Sequence, residues 1–338
     1  MSYTVHFEPS GHQIEVTDGE RVLTAALRHG LQLPYSCRGG ACGACKAQII
    51  EGEVDYPDGD PQGLNAQERA IGMTLLCSAV PLGDLRVEVH EVTDSEELEV
   101  KTLPCRIAKK EQLNHDVLRL FLKLPDNQRL QFLAGQYIDF LLEDGRRRAF
   151  SLANAPHRDE LLELHIRLIP DGDFTDFLFH QAEEKTLLRV EGPLGRFTLR
   201  EDSERPMIMM AGGTGFAPIK AILEHAFAEE LQQPIYLYWG ARAKQDLYLN
   251  ELPKRWVDKH PNLHYIPVLS EPQDGDDWQG ATGFVHEAVL ADHPDLSKVD
   301  VYSAGPPAMV EAGAAAFEQA GLPMERYYSD AFTYAKDK

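Results

Sequence analysis

Long hydrophobic runs are missing from this 338-residue sequence. The longest, such as 206–211 and 235–239, fall far short of the roughly 18 consecutive apolar residues that a membrane helix needs. A membrane-spanning helix is therefore not expected, and a membrane is not an expected partner. Basic charge is scarce as well: 33 Lys and Arg face 54 Asp and Glu, for a net charge of −21. A field of that sign repels phosphate backbones and anionic lipid, so nucleic acid is not an expected partner either. Residues 1–11 lack the basic start and continuous apolar stretch of a secretory signal, which makes the cytoplasm the expected compartment. Cysteine is sparse. There are five, an odd number, and three of them fall between positions 37 and 45, which argues against a secreted disulfide framework and for metal chemistry in a reducing compartment.

The sequence is otherwise that of a globular protein, 43% hydrophobic and 26% charged, and long enough for two or three domains at about 100–200 residues each. The first hundred residues hold 17 acidic and 6 basic side chains, net −11, and read as a separate unit. In it Tyr3–Phe7 and Ile14–Val16 alternate like paired strands, Arg21–His29 has helical spacing, and Leu85–Val89 alternates again. The acidic run Glu91–Glu99 follows as a hinge. From Leu103 to about Glu201, short alternating segments (Val117–Leu122, Tyr137–Leu142, Leu162–Leu168) punctuated by Gly and Pro predict an antiparallel barrel with one helix at Thr175–Gln181. Beyond Arg205, apolar runs at Met207–Met210, Ile235–Trp239, Tyr265–Leu269 and Val299–Ser303 alternate with helical stretches, the signature of a doubly wound parallel sheet.

Cys37, Cys42 and Cys45 stand as C-x4-C-x2-C, and Cys77 follows 32 positions after Cys45, the plant-type [2Fe-2S] ligand spacing. Gly39, Gly40 and Gly43 let the backbone curl tightly and turn N–H groups toward the cluster sulfurs. A structural zinc site is the alternative, but zinc loops usually bring a second close pair of ligands, and here the fourth cysteine arrives alone. Cys105 lies outside the pattern, at a strand start, and reads as a small buried hydrophobe.

With these motifs the chain resembles, over nearly its full length, the iron-sulfur flavoprotein reductases, in which a plant-type ferredoxin domain precedes a ferredoxin-NADP reductase-like module. Members include the reductases of bacterial multicomponent oxygenases and of deoxysugar dehydratases. The resemblance implies roles for particular residues. Arg148-Ala149-Phe150-Ser151 matches the flavin motif R-x-[YF]-S, in which Arg148 meets the flavin diphosphate, Phe150 packs by the isoalloxazine and Ser151 reaches N5. A guanidinium fork suits a diphosphate, and an aromatic face suits a flat ring. In "HIRLIPDGDFTDFL", His165 and Arg167 fall at positions flanking the flavin, and Gly172 and Thr175 where a helix N-terminus meets the diphosphate. An ordinary strand histidine is the competing reading of His165. Gly213-Thr214-Gly215, directly after a strand and before a helix, marks the nucleotide diphosphate loop. Gly305-Pro306 matches the turn on the nicotinamide side, with Ala304 where many members have Cys. Phe332 falls where relatives place an aromatic against the flavin face that nicotinamide must occupy, the alternative being an aromatic packed in a core groove.

The expected fold is multidomain: an α+β ferredoxin (β-grasp) domain at 1–93, an acidic linker at 94–102, an antiparallel β-barrel flavin domain at 103–202 and an α/β doubly wound nucleotide domain at 203–338. The expected function is electron transfer from NADH, with NADPH possible, through FAD and a [2Fe-2S] cluster to an electron-accepting protein such as an oxygenase or dehydratase. Ser151 and Phe332 are the expected catalytic contacts. FAD is expected over FMN because FMN-using relatives tend to carry their ferredoxin domain at the other end. A redox sensor, whose cluster state alters binding to a regulatory partner, is the alternative function.

Overall fold

The alternation in the first segment becomes a hairpin: β1 (Ser2–Glu8) pairs antiparallel with β2 (Gln13–Thr17), setting Val5 opposite Ile14 and Tyr3 opposite Val16. The computed structural model describes residues 2–31, 33–35, 38–41, 43–89 and 98–332. Its contacts divide the chain into two compact units, 1–97 and 98–338. Most of the expected acidic hinge, Glu91–Glu99, lies outside the described residues.

In the first unit α1 (Val22–Arg28) lays Val22, Leu23, Ala25 and Ala26 on a sheet that also contains β3 (Lys46–Glu51), β5 (Met73–Leu75) and β7 (Leu85–Glu88). The order is β2-β1-β7-β3-β5, with β1 and β7 parallel at its centre. Two further strands, β4 (Val54–Asp55) and β6 (Val80–Pro81), pair apart from it, and the short α2 (Ala66–Ala70) starts on a capping box between Asn65 and Glu68. This is the expected β-grasp arrangement.

The second unit begins with six antiparallel strands: β8 (Lys101–Gln112), β9 (Val117–Lys123), β10 (Tyr137–Leu141), β11 (Arg147–Ser151), β12 (Leu162–Arg167) and β13 (Leu187–Leu194). Their order is β11-β10-β13-β8-β9-β12, and the bridge Leu152–Leu164 joins the two edges, closing the sheet into a barrel. The helix expected at Thr175–Gln181 starts earlier, as α3 (Asp173–Asp176), and runs on as one wider π-helical turn over Phe177–Gln181. Cys105 is buried in β8, which pushes its thiol pKa up to about 12, as suits a small hydrophobe rather than a ligand.

A parallel sheet follows, built from β14 (Met207–Gly212), β15 (Ile235–Ala241), β16 (Leu263–Leu269), β17 (Ala281–Thr282), β18 (Asp300–Gly305) and β19 (Tyr327–Ala331) in the order β17-β16-β15-β14-β18-β19. Helices α4 (Phe216–Ala228), α5 (Glu251–Val257), α6 (Val285–Asp292) and α7 (Pro307–Gln319) connect the strands. The strand order reverses between β14 and β18, so the carboxyl ends of these two strands form the switch point where such sheets bind ligands.

Barrel and parallel sheet belong to one unit because β12 serves both. Leu162, Leu164 and Ile166 point into the barrel core, and alternation sends Glu163, His165 and Arg167 to the opposite face. There Glu163 receives Lys220 Nζ of α4 at 3.1 Å and His165 Nε2 at 3.0 Å, with Arg119 Nε also at 3.0 Å. His165 Nδ1 lies 3.0 Å from the Tyr248 hydroxyl. Burial pushes Tyr248 far above the ordinary tyrosine range and lowers His165, so the phenol keeps its proton and donates to a neutral imidazole, whose Nε2–H donates to Glu163. Burial works against the Glu163 charge too. The His165 bond and the charges of Lys220 and Arg119 outweigh it, holding the carboxyl at about 2.

Both shifts mean that the unfolded chain binds more protons than the folded one. The His165 contribution is complete above its ordinary value of 6.5 and is lost as pH falls below it; the Glu163 contribution is complete above 4.5 and is lost as pH falls toward about 2. All three tryptophans, Trp239, Trp256 and Trp278, lie in this unit and report its unfolding. Tm followed by their fluorescence should fall from pH 7 to pH 5, and His165→Gln should flatten that slope. An unchanged slope would place the proton uptake elsewhere.

Candidate functional site

In the first unit two of the cysteines stand beside the ends of β3 and β5. Cys45 immediately precedes β3 and Cys77 comes two residues after β5; the Leu76 N–H donates to the Cys45 carbonyl at 3.1 Å, so the ladder sets Cys45 opposite Leu76, the residue before Cys77. Both are 3% exposed. Gly40 and Gly43 have φ of +79° and +71°, which L side chains rarely adopt, and a Cβ on Gly40 would come within 2.7 Å of Ser78 Oγ and 3.0 Å of Pro61. Larger residues could not make this curl. Cys37 and Cys42 lie outside the described residues, and among the described residues no group of three metal-binding side chains gathers. Two buried thiols beside a glycine loop suit an iron-sulfur cluster.

In the second unit three segments converge on the switch point. The first is the loop Gly213–Gly215 after β14, which opens α4. The second is the turn after β18. A Cβ on Gly215 would stand 1.9 Å from the Ala304 carbonyl oxygen, so the two turns pack backbone against backbone and only glycine fits. Pro306 caps α7 and packs beside Gly212. The third is β19, whose pairing with β18 brings Ala331 opposite Gly305; the Phe332 N–H then donates to the Gly305 carbonyl at 2.8 Å. Gly213, Thr214, Gly215, Gly305, Pro306 and Phe332 thus come together. Phe332 is partly exposed.

The barrel meets them through β11. Ser151 Oγ donates to Asp330 Oδ2 of β19 at 3.4 Å, joining the end of the R-x-F-S motif to the strand that leads directly into Phe332. Asp330 is 5% exposed, and sequence reasoning missed it; the signal was a carboxylate inside an otherwise buried parallel strand. Phe150 is half-buried, edge-on to Phe140 at 5.7 Å and tilted toward Phe174 at 6.2 Å. Arg148 Nη2 reaches to 3.9 Å from Asp173 at the start of α3, so Arg148 and Gly172 come together. The Thr175 hydroxyl is used within this turn, accepting from Ile169 N–H and donating to Gly172 O, each at 3.1 Å.

His165 and Arg167 stand on the other side of β12. The His165 side chain has no exposed surface and both its nitrogens are bonded to Tyr248 and Glu163. Arg167 Nε donates to Asp116 at 2.7 Å, and its Nη1 stands 3.2 Å from where a Cβ on Gly213 would lie. Arg167 therefore reaches the nucleotide loop. Beyond β15, Lys244 Nζ donates to the Asp276 carbonyl at 2.7 Å and Asp246 accepts from Ala243 N–H at 3.0 Å, while Arg242 is exposed.

Three family models match in chain order: a 2Fe-2S iron-sulfur cluster binding domain at 5–82, an oxidoreductase FAD-binding domain at 104–199 and an oxidoreductase NAD-binding domain at 209–314. The CDP-6-deoxy-L-threo-D-glycero-4-hexulose-3-dehydrase reductase of Yersinia pestis is 41% identical, over 99% of this chain and 100% of that protein. The reductase component of phenol 2-monooxygenase from Pseudomonas sp. strain CF600 is 37% identical, over 98% and 96%. Among solved structures, the Amycolatopsis cytochrome P450 reductase GcoB superposes with a TM-score of 0.81 at 34% identity, covering 99% of this chain and 100% of that one. The chain belongs to the iron-sulfur flavoprotein reductases, in which a ferredoxin domain leads a ferredoxin-NADP reductase-like module.

Proposed function

We propose that this chain takes electrons from NADH and delivers them to a partner metalloprotein in the cytoplasm, an oxygenase or a deoxysugar dehydratase. The observation that carries the reading is the convergence of the nucleotide loop, the turn after β18 and the Ser151–Asp330 contact on one switch point. When bound, FAD accepts a hydride as an electron pair and releases electrons singly, matching a two-electron donor to a one-electron cluster. The protein's work is to hold these groups in place.

Cys37, Cys42, Cys45 and Cys77 hold the cluster. Arg148 offers its guanidinium to the flavin diphosphate beside the Gly172 turn, Phe150 gives the ring an aromatic edge, and Ser151 presents its hydroxyl to N5 while Asp330 orients it. Thr175 supports this site by fixing the turn. Gly213, Thr214 and Gly215 open α4 toward the nucleotide diphosphate, where Arg167 adds a cation from the barrel. Gly305 and Pro306 shape the nicotinamide side. Phe332 would lie against the flavin face, where a nicotinamide would have to displace it. His165, with both nitrogens committed in the seam, serves as a joint between barrel and nucleotide sheet.

Ligand assignment is tested by Cys77→Ser. This variant should lose the cluster, keep FAD, and still pass electrons from NADH to ferricyanide while failing to reduce a cluster-dependent acceptor. Two irons retained and normal transfer to that acceptor would refute the assignment. Slow NADH turnover of the unaltered protein, together with redox-dependent partner binding, would favour the sensor instead.

NADH is the proposed donor because Lys244 Nζ is tied to the Asp276 carbonyl, Asp246 accepts from Ala243 within its own turn, and the net −21 charge opposes an additional phosphate. Arg242 and Lys244 are both exposed in this stretch and are the cations that a 2′-phosphate would meet. The ratio of kcat/KM for the two nucleotides should favour NADH; a ratio favouring NADPH would overturn this choice.

A further inference from the structure

Lys220 sits in the apolar run "FAPIKAIL" of α4, 2% exposed. Its ammonium donates to the Ala153 carbonyl at 2.7 Å and to Glu163 Oε2 at 3.1 Å, and Glu224 Oε1 stands 3.0 Å away as a second ion-pair partner. Ala153 lies two residues past Ser151, and its own N–H donates to the Glu163 carbonyl at 2.8 Å. The segment 151–153 is thus held from β12 on one side and from α4 on the other. Burying an ammonium and carboxylates together gives little net stability over an apolar filling of the same space. What the arrangement does supply is position. Lys220 is one helical turn from Phe216, the first residue of α4 after the nucleotide loop. A single side chain therefore ties the nucleotide-holding end of α4 to the segment that carries Ser151.

We propose that Lys220 is a positioning residue for hydride transfer, fixing the nucleotide loop against the flavin-side segment 151–153. This rests on the functional reading above. In that reaction the C–H bond at the reduced nicotinamide breaks and an N–H bond at flavin N5 forms, the electron pair travelling with the hydrogen. Lys220 touches neither atom. It acts through the Ala153 carbonyl, and rates of this kind fall steeply when donor and acceptor are displaced by a fraction of an ångström to one ångström.

The test combines stopped-flow flavin reduction with amide hydrogen exchange on the FAD-loaded full chain carrying Lys220→Met. The limiting rate should fall about tenfold or more while the NADH concentration for half-saturation stays within about threefold. Exchange should rise in the peptide spanning 151–155. Lys220→Gln keeps a shorter, neutral donor and serves if Lys220→Met fails to fold; the same slow limiting rate is expected. Glu163→Gln, which leaves the Ala153 bond in place, should slow the limiting rate less than Lys220→Met does. A wild-type limiting rate in the Lys220 variant, a change in half-saturation alone, or unchanged exchange at 151–155 would each overturn the proposal. An unaltered protein whose flavin NADH does not reduce would refute the functional reading instead, and the exchange measurement would still decide what Lys220 holds.

Discussion

The carboxylate of Glu163 is where barrel and nucleotide sheet are joined, and the geometry of the switch point depends on it. It is buried, and it stays ionised because Lys220, Arg119 and the His165 N–H surround it. Removing one partner from such a set typically costs about 3–5 kcal/mol, because a charge is then left in a poorly solvated place. The same set gives direction as well as attachment. His165 carries the connection on to Tyr248 beyond β15, and Lys220 carries it to Ala153 and into α4. An apolar seam would hold the two parts with equal strength but would tolerate sliding, since hydrophobic contact is not directional.

Around that joint the site is assembled from turns that approach one another more closely than side chains allow. Gly215 meets the Ala304 carbonyl, the Phe332 N–H is held by Gly305, and Ser151 is bonded to Asp330. Each contact brings a different segment to the carboxyl ends of β14 and β18. The aromatic stack of Phe216 on Trp239, with ring centroids 4.0 Å apart, packs the start of α4 on β15 from beneath. The cysteine loop of the first unit obeys a similar constraint, with Gly40 giving room to Ser78 and Pro61.

Much of this was legible in the residues. Alternation in β1, β9 and β12 and the apolar runs of β14, β15 and β18 located those strands, because period and burial leave direct marks on composition. The cysteine spacing was legible as a cluster site because few chemistries require those residues at those distances, in agreement with the 2Fe-2S domain matched over 5–82, whereas R-x-F-S took its meaning from the family resemblance. The seam was not. Glu163 and Lys220 are 57 positions apart, and neither belongs to a short motif; only the fold brings them to 3.1 Å. Lys220 within "FAPIKAIL" was a mark that could have been followed, a cation at a helical position surrounded by apolar residues. Asp330 was hidden likewise, since its partner Ser151 lies 179 positions away. The early start of α3 escaped because its first residue, Asp173, follows Gly172 in a polar turn where hydrophobic period is silent.

Electrons run from NADH to the flavin and then to the cluster, an order that anaerobic stopped-flow mixing of the intact protein with NADH tests by following the flavin band and the cluster band separately. Flavin absorbance should bleach first and cluster absorbance should follow, no faster than the flavin, with protein stripped of FAD showing no cluster reduction at all. Cluster reduction by NADH in the FAD-free protein, or bleached flavin that never reduces the cluster, would contradict it.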